Sequence, residues 1–439
     1  MKRTVYKNAA EFLEQNEALG TGLPFTEDLG ILSQSLAIGS RVIPNRFCCQ
    51  PMESCSALKD NTPDEITLRH YRSFAGGGSG LVWLEATAVL PEAKANTFQL
   101  YIDADNLDAY KRTVEEIKKA GAERNGVEPM VILQLTHSGR YSKPHGYPEP
   151  IVAGHIPSIE KDKPLPEECI ATDEYLDRVR DALVAAAGYA EKAGFDGADI
   201  KCCHGYLLSE LMGAHTRKGR YGGSLENRSR LLREAVKGAI ENAGDFIITA
   251  RVNAWDGLPW PYGFGVPEDG STEFDPAEPA WVLKQLAESG MELIDLTMGT
   301  PYVIPHVNRP FFKGGYEPEE HPLVSTARIL KGTGILKKRV PELKVVCSGL
   351  SWLGSAAPGV AAAMIREGSF DIAGFGRETF AYPDFARDVM LKGGFDPAKQ
   401  CLCCSKCTDI MRTGNPAGCP VRDQEVYLPL YKKYCQGEK

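Results

Sequence analysis

The 439-residue sequence predicts an α/β fold of the (β/α)8, or TIM-barrel, class with a short cysteine-rich extension at its C-terminus. Two observations predict this fold. Eight short runs rich in apolar and β-branched residues alternate with longer stretches of helical periodicity, which is the pattern of a parallel sheet. No G-x-G-x-x-G motif follows any of these runs, and this disfavours a doubly wound sheet, the alternative α/β fold.

We expect the barrel to occupy residues 1–392 and the cysteine-rich extension to occupy residues 393–439. Helical periodicity is clearest over residues 172–193 and 227–243. The eight expected strands are, in order, residues 46–52, 80–89, 130–137, 195–202, 246–254, 293–299, 344–350 and 370–377.

Three long stretches rich in Pro and Gly each follow an expected strand. They are residues 145–168, 256–273 and 302–321. The loops that follow the strands build the active-site face of a barrel. We therefore expect these three loops to shape a site for a small-molecule substrate.

The charge and hydropathy of the sequence exclude several classes of partner. The net charge of −8 argues against nucleic acid, because phosphate binding needs a basic face. No run of about 18 apolar residues is present, so no membrane span is expected. The first residues lack the apolar segment of a signal peptide, and we therefore expect a cytoplasmic protein.

The 13 cysteines are unevenly distributed, and a reducing cytoplasm makes disulfides unexpected. A local cluster near the C-terminus indicates a metal site instead. The spacing C-x2-C-x2-C-x11-C, followed by proline, is typical of an iron–sulfur cluster such as 4Fe–4S. A structural zinc site and free thiols are the alternatives, and Cys403 could replace the second cysteine. The four expected ligands are Cys401, Cys404, Cys407 and Cys419.

Two motifs around the fourth expected strand are long enough to be specific. Residues 201–208 read K-C-C-H-G-Y-L-L, and residues 220–228 read R-Y-G-G-S-L-E-N-R. With these motifs the sequence resembles the old yellow enzyme family of FMN oxidoreductases, which includes NADH:flavin oxidoreductases and the barrel part of 2,4-dienoyl-CoA reductase. The cysteine spacing is similar to the cluster segment of the larger relatives in that family.

The resemblance implies an FMN site on the barrel. Gly349, Gly376 and Arg377 would bind the phosphate, at the strand ends where barrels often bind phosphates. Gln134 and Arg251 match positions that meet the pyrimidine side of the flavin, where a cation stabilises reduced flavin.

The resemblance also implies which residues line the flavin ring. They are Gln50, Pro51, Met52, Glu53 and Ala86. At the position of Glu53 the family often has Cys or Thr. An ionised carboxylate beside the flavin would make its reduction harder.

The resemblance implies an ene-reductase, which adds a hydride and a proton to the C=C bond of an α,β-unsaturated carbonyl or carboxylate. Lys201 and His204 would hold the substrate oxygen, and Tyr206 would donate the proton. The family most often has histidine where this sequence has Lys201, and a lysine would favour an acidic substrate. Pairing of Lys201 with a nearby carboxylate such as Glu53 is the alternative.

Electrons would come from NAD(P)H bound over FMN, or from an electron-transfer protein through the cluster. The larger relatives continue into an FAD and NAD(P)H domain, whereas this sequence has no dinucleotide fingerprint. Two other functions stay open at this point: an FMN and iron–sulfur dehydrogenase of the amine dehydrogenase kind, and a non-flavin barrel with a zinc-bound docking tail.

Overall fold

Eight parallel strands close a barrel in the computed structural model, which describes residues 4–437. A two-stranded antiparallel hairpin, β1 (Leu36–Ile38) and β2 (Arg41–Ile43), precedes it. In the barrel each strand pairs with its neighbours in the sequence, and the last strand pairs with the first. The barrel strands are β3 (Phe47–Cys49), β4 (Leu81–Ala88), β5 (Met130–Thr136), β6 (Gly197–Cys202), β7 (Ile247–Asn253), β8 (Leu293–Thr297), β9 (Lys344–Cys347) and β10 (Ile372–Phe375).

Helices follow most of the barrel strands and cover the outside of the barrel. They are α1 (Ala9–Ala18), α2 (Glu65–Gly76), α3 (Leu107–Asn125), α4 (Pro157–Glu160), α5 (Asp173–Lys192), α6 (Leu207–Met212), α7 (Leu225–Arg228), α8 (Arg230–Asn242), α9 (Ala277–Glu288), α10 (Pro305–Asn308), α11 (Pro322–Arg339), α12 (Ala357–Arg366), α13 (Arg377–Ala381), α14 (Phe385–Lys392), α15 (Lys406–Arg412) and α16 (Tyr427–Cys435).

The predicted barrel is confirmed. Each of the eight expected strands is present, although most are one to three residues shorter at an end than the sequence pattern suggested. The helix expected over residues 227–243 is instead two helices, α7 and α8, because the chain is interrupted at Ser229. The loops over residues 145–168 and 302–321 contain the short helices α4 and α10.

Two apolar layers hold the barrel together. All eight residues of β4 are buried, as expected for a parallel strand with side chains on both faces covered. Inside the barrel, Trp83 and Ile132 belong to a cluster that also contains Ile38 and Ile43 of the hairpin. The hairpin thus contributes to the core inside the barrel. Its two three-residue strands are too short for their alternation to be recognised in the sequence.

The C-terminal segment packs on the barrel at several points. Arg69 forms an ion pair with Asp423 at 2.6 Å, and the Ala417 amide donates to the Ser54 carbonyl at 2.7 Å. The Tyr427 ring stacks on buried His70, with 5.2 Å between ring centroids. The division at residue 392 stays a prediction. Over the described part of the chain, no helix combines the length and apolarity needed to span a membrane.

Candidate active site

A cavity of about 580 Å3 opens where the barrel strands end, within the size range of about 300–1,000 Å3 that is usual for ligand sites. The structure brings together around it all thirteen residues for which the sequence predicted a flavin or catalytic role. These are Gln50, Pro51, Met52, Glu53, Ala86, Gln134, Lys201, His204, Tyr206, Arg251, Gly349, Gly376 and Arg377.

On one wall a buried carboxylate fixes the orientation of Gln134. The amide nitrogen of Gln134 donates to Asp199 Oδ2 at 2.6 Å, and Trp83 Nε1 donates to the same oxygen at 3.0 Å. Burial raises the pKa of Asp199 to about 7, against the effect of the Gln134 hydrogen bond. Because the nitrogen of Gln134 is bound to Asp199, its amide oxygen is free to accept a hydrogen bond from a ligand.

Arg251 and Gln50 share a second buried carboxylate. Arg251 Nε lies 3.0 Å from Asp295 Oδ2, and Gln50 Nε2 donates to Asp295 Oδ1 at 3.1 Å. Burial raises the pKa of Asp295 to about 6, while the Arg251 charge opposes this shift. The buried oxygen Oε1 of Gln50 has no hydrogen-bond partner within residues 4–437. An unpartnered buried acceptor is costly, so a ligand that donates a hydrogen bond fits here.

Positive charges gather at the ends of β9 and β10. Arg377 donates through Nη2 to the Pro310 carbonyl at 2.6 Å, whereas its buried Nη1 has no partner among the described residues. Arg309 and Arg412 line the cavity as well. Burial, then the charges of Arg377 and Arg412, lower the pKa of Arg309 to about 10. An anion such as a phosphate would relieve this repulsion.

Two glycines keep this end of the cavity open. Gly349 has φ +93°, a backbone conformation that side chains disfavour, and a β-carbon at Gly376 would lie 3.0 Å from Met52 Sδ. The unpartnered Gln50 oxygen, the unpartnered Arg377 nitrogen and these glycines therefore fit FMN, which offers a ring N–H donor and an anionic phosphate.

The wall formed by β6 and the turn after it carries three groups. Lys201 is the penultimate residue of β6 and pairs in register with Arg251 of β7. His204 turns the chain with φ +67°, and Tyr206 precedes α6. The Lys201 ammonium lies 4.2 Å from the centroid of the Tyr206 ring. Over residues 4–437, this ammonium forms no ion pair within 4 Å, which disfavours the predicted alternative of a structural salt bridge.

Burial sets the protonation of this wall. It lowers the pKa of His204 well below its usual value, and the charges of Lys201, Arg251 and Arg309 act in the same direction. It raises the pKa of Tyr206 well above its usual value. At neutral pH His204 is therefore a neutral hydrogen-bonding group, and Tyr206 keeps its proton.

Glu53 is close to Lys201 without pairing with it. Its carboxylate accepts from Asn96 Nδ2 at 2.7 Å. Burial raises the pKa of Glu53, while the Lys201 charge and the Asn96 hydrogen bond lower it. Burial also lowers the pKa of Lys201, and Glu53 opposes this. The two groups interact electrostatically, yet the Lys201 charge is not cancelled by a direct contact.

A cluster of three tyrosines lies at the wall that carries Lys201 and His204, and the sequence predicted one of the three as a site residue. The rings of Tyr141 and Tyr302 stack with 3.6 Å between centroids and an angle of 14°. Tyr302 Oη lies 3.5 Å from Tyr206 Oη. Tyr141 follows β5 and Tyr302 follows β8, so neither belongs to the motif that contains Tyr206.

The predicted metal ligands line a second, smaller cavity beside the first. Cys401, Cys404, Cys407 and Cys419 all contribute to its wall. Cys403 also borders it, but its thiol donates to the Ser351 carbonyl at 3.6 Å. Within residues 4–437, no three His, Cys, Asp or Glu side chains form a group able to bind a metal ion.

The two cavities share part of their walls. Arg377, Phe380 and Cys407 line both of them. A ligand in the first cavity and a cofactor in the second would therefore be neighbours.

Several residues of the main cavity were not predicted from the sequence, because they lie on loops or in the C-terminal segment. Residues 302–321 were expected to shape the site, but no motif singled out individual positions. The lining residues that were missed include Asn96, Phe98, Lys143, Tyr302, Asn308, Arg309, Ser351, Thr408, Met411 and Arg412.

Comparison with known proteins identifies the family of this chain. Residues 32–302, more than half of the chain, match the model of the NADH:flavin oxidoreductase / NADH oxidase family. An NADPH dehydrogenase of Halalkalibacterium halodurans is 32% identical over 272 residues, which cover 61% of this chain and 73% of that protein. An NADPH dehydrogenase of Listeria welshimeri is 27% identical over 82% of this chain and 93% of the other.

Solved structures share the fold. An old yellow enzyme homologue from Zymomonas mobilis superposes with a TM-score of 0.64 at 21% identity, covering 92% of this chain and 99% of that one. A 2-naphthoyl-CoA reductase gives a TM-score of 0.73 at 21% identity, covering 90% of this chain. This chain spans 57% of that longer protein.

The family match removes one of the functions that the sequence had left open. A non-flavin barrel is wrong, because the relatives identified by sequence are flavin oxidoreductases and NADPH dehydrogenases. The chain belongs to the NADH:flavin oxidoreductase family, also called the old yellow enzyme family, and is a flavin-dependent oxidoreductase.

Proposed function

We propose that this protein is an FMN-dependent ene-reductase that uses NADPH or NADH to reduce a C=C bond conjugated to a carbonyl or carboxylate. The observation that carries the proposal is the set of three groups after β6. Lys201, His204 and Tyr206 face the cavity that also contains the predicted flavin contacts.

The chain would hold FMN with groups that it already positions. Gln134 would offer its amide oxygen, Arg251 its charge, and Arg377 its unpartnered nitrogen to the phosphate. Gln50 to Glu53 and Ala86 would line the ring. Bound FMN supplies the hydride for the alkene carbon distant from the carbonyl.

Two residues would polarise the substrate. Neutral His204 would donate a hydrogen bond to the substrate oxygen, and Lys201 would add a positive charge where negative charge develops. Tyr206 would then give its phenolic proton to the other alkene carbon. The O–H bond breaks and a C–H bond forms, so the electrons of the former double bond are accounted for.

The charges around the cavity favour a substrate with a free carboxylate. Six cationic side chains line the cavity, against the single carboxylate of Glu53. Arg251 and Arg377 are assigned to FMN. Lys201 is left facing the substrate, and a buried charge gains most from a partner of opposite sign. A conjugated acid would supply that partner.

The same charges disfavour the alternative of an amine dehydrogenase. An amine substrate is a cation at neutral pH, and Lys201 would repel it. The tyrosine cluster and Glu53 could attract a cation, but Glu53 already accepts from Asn96, and burial raises its pKa.

We also propose that the second cavity holds an iron–sulfur cluster on Cys401, Cys404, Cys407 and Cys419. All four cysteines line one small cavity that shares wall residues with the main cavity. A cluster there could exchange electrons with FMN, whereas zinc has no redox chemistry. The direction of the Cys403 thiol toward Ser351 supports Cys404 as the ligand.

The experiment is to purify the protein, quantify FMN, iron and zinc, and compare kcat/KM for a conjugated acid and its methyl ester with NADPH. We expect a yellow protein that prefers the acid. In Lys201→His the preference should fall about tenfold or more, as for a hydrogen bond to a charged group. Lys143→His removes an exposed cation at the cavity mouth and should leave the preference nearly unchanged. Equal rates for acid and ester in the wild type would contradict the carboxylate preference.

A further inference from the structure

Ene-reduction by the proposed mechanism leaves Tyr206 without its proton after every turnover. The side chain is 4% exposed and faces the cavity that FMN and the substrate would fill, so little water reaches it while they are bound. A buried phenolate is unfavourable, and the next turnover cannot begin until the proton is restored. The site therefore needs a route from solvent to the Tyr206 oxygen.

One neighbouring hydroxyl is placed to serve as that route. Tyr302 Oη lies 3.5 Å from Tyr206 Oη. Over residues 4–437, it is the side-chain group within hydrogen-bonding distance of the Tyr206 hydroxyl. Tyr302 is 50% exposed, compared with 4% for Tyr206, so it borders both solvent and the buried acid. Stacking on Tyr141 holds its ring in place.

We propose that Tyr302 relays a proton from solvent to Tyr206 after each turnover. This inference rests on the proposed role of Tyr206 as proton donor. The Tyr302 O–H bond breaks and the Tyr206 O–H bond re-forms. A water molecule then returns a proton to Tyr302 and leaves hydroxide in solution, so no other reactant is needed.

The protonation states of the two tyrosines agree with this direction. Burial raises the pKa of both phenols above the usual value, that of Tyr302 to about 12. Both are therefore protonated at neutral pH. A Tyr206 phenolate left by turnover would thus lie beside a protonated Tyr302.

Tyr141 provides a matched control. It belongs to the same stack, and its hydroxyl makes no hydrogen bond within residues 4–437. Tyr302→Phe and Tyr141→Phe therefore each remove one oxygen while leaving both stacked rings, but Tyr302→Phe alone removes the oxygen next to Tyr206.

The test is a stopped-flow single turnover of the FMN-loaded, pre-reduced protein with an alkene substrate, in weak buffer with a pH-indicator dye. Flavin absorbance reports hydride transfer to the alkene, the step that proton donation by Tyr206 completes, and the dye reports proton uptake from solvent. In the wild type and in Tyr141→Phe, uptake should follow flavin reoxidation closely. In Tyr302→Phe, reoxidation should keep its rate while uptake lags about tenfold or more, within the range of acid–base effects.

Each other outcome contradicts the relay. Uptake that keeps pace in Tyr302→Phe would mean that water in the cavity protonates Tyr206. Slower reoxidation in Tyr302→Phe would mean that Tyr302 orients Tyr206 before the proton is donated. Tyr206→Phe separates this inference from the proposed function, because unchanged reoxidation in that variant would refute the donor role itself.

Discussion

The two sides of the main cavity are held in different ways. The side formed by strands β5, β7 and β8 fixes its polar groups with buried hydrogen bonds and ion pairs. Asp199 accepts a hydrogen bond from Gln134, and Asp295 forms an ion pair with Arg251. The side formed by loops and the C-terminal segment places Tyr302, Arg309 and Arg412 with fewer such bonds and more exposure. Strand-borne groups are suited to hold a cofactor in one orientation, whereas loop-borne groups set which substrate enters and how protons move.

The largest effect is expected at the junction of the two sides, in Tyr206→Phe. The variant keeps the ring that packs against Lys201 but loses the proton that ene-reduction requires. We expect flavin reduction by NADPH to stay nearly unchanged and reoxidation by the alkene to slow by roughly 10²–10⁴-fold. Stopped-flow measurement of the two half-reactions separates them. An equal loss in both would instead indicate damage to the flavin site.

The sequence predicted the strand side well and the loop side poorly. Eight apolar runs of regular spacing identify the strands, and the motif of residues 201–208 identifies the catalytic turn. Tyr302 and Arg412 could not be predicted, since each reaches the cavity through tertiary packing of an irregular segment. Arg412, for example, is about 160 residues from Arg251 in sequence and lines the same cavity. No periodicity relates such positions.

The hairpin and the relation between Glu53 and Lys201 show two other limits of prediction from the sequence. Strands β1 and β2 are three residues long, and a pattern of that length occurs by chance in many loops. Both Glu53 and Lys201 were predicted to line the site. Whether the two side chains pair depends on Asn96, which donates a hydrogen bond to Glu53. Asn96 lies on a loop, and no local sequence pattern predicts its position.

The second prediction concerns the cysteines of the C-terminal segment. We expect anaerobically prepared protein to contain about four irons and four sulfides per chain, held by four thiolates. Cys404→Ser should lose most of this iron, whereas Cys403→Ser should retain it, because the Cys403 thiol points to the Ser351 carbonyl. Iron and acid-labile sulfide analysis measures both. Stoichiometric zinc without sulfide would refute the cluster.

The third prediction compares the buried arginine that follows β10 with an exposed arginine of the C-terminal segment. Arg377 is buried and has an unpartnered nitrogen, whereas Arg412 is exposed. Removing a hydrogen bond to a charged group costs about 1.5–3 kcal/mol, so Arg377→Ala should weaken FMN binding roughly 10- to 150-fold. Arg412→Ala should change it less, because solvent and salt screen an exposed charge. Titration of the apoprotein with FMN gives both dissociation constants. The reverse order would place the phosphate nearer the C-terminal segment.

The smallest effect is expected where the C-terminal segment meets the barrel, at His70. This histidine is buried between Phe380 and Tyr427, and burial lowers its pKa to about 3. Its pKa in an unfolded chain is about 6.5, so the folded state binds the proton more weakly. The contribution of neutral His70 to the free energy of unfolding is therefore complete above pH 6.5 and is lost as the pH falls toward 3. One such group changes the free energy of unfolding by about 1.4 kcal/mol per pH unit, or about 2 kcal/mol between pH 6.5 and 5.

His70→Phe keeps a ring for the stack with Phe380 and Tyr427 and removes the titrating group. The variant loses the contact between His70 and the Tyr427 hydroxyl, so its stability at pH 8 should fall by about 1 kcal/mol. Its unfolding free energy should nevertheless fall less steeply between pH 6.5 and 5 than that of the wild type. Urea denaturation at several pH values measures this slope.

His137 is also buried with a pKa lowered to about 3, but it lies after β5 on the barrel, away from Tyr427. If the C-terminal segment detaches as His70 is protonated, limited proteolysis at pH 5 should cleave it in the wild type and spare it in His70→Phe. Equal cleavage of the wild type and His70→Phe would mean that protonation of His137 in the barrel, and not of His70, causes the sensitivity to acid.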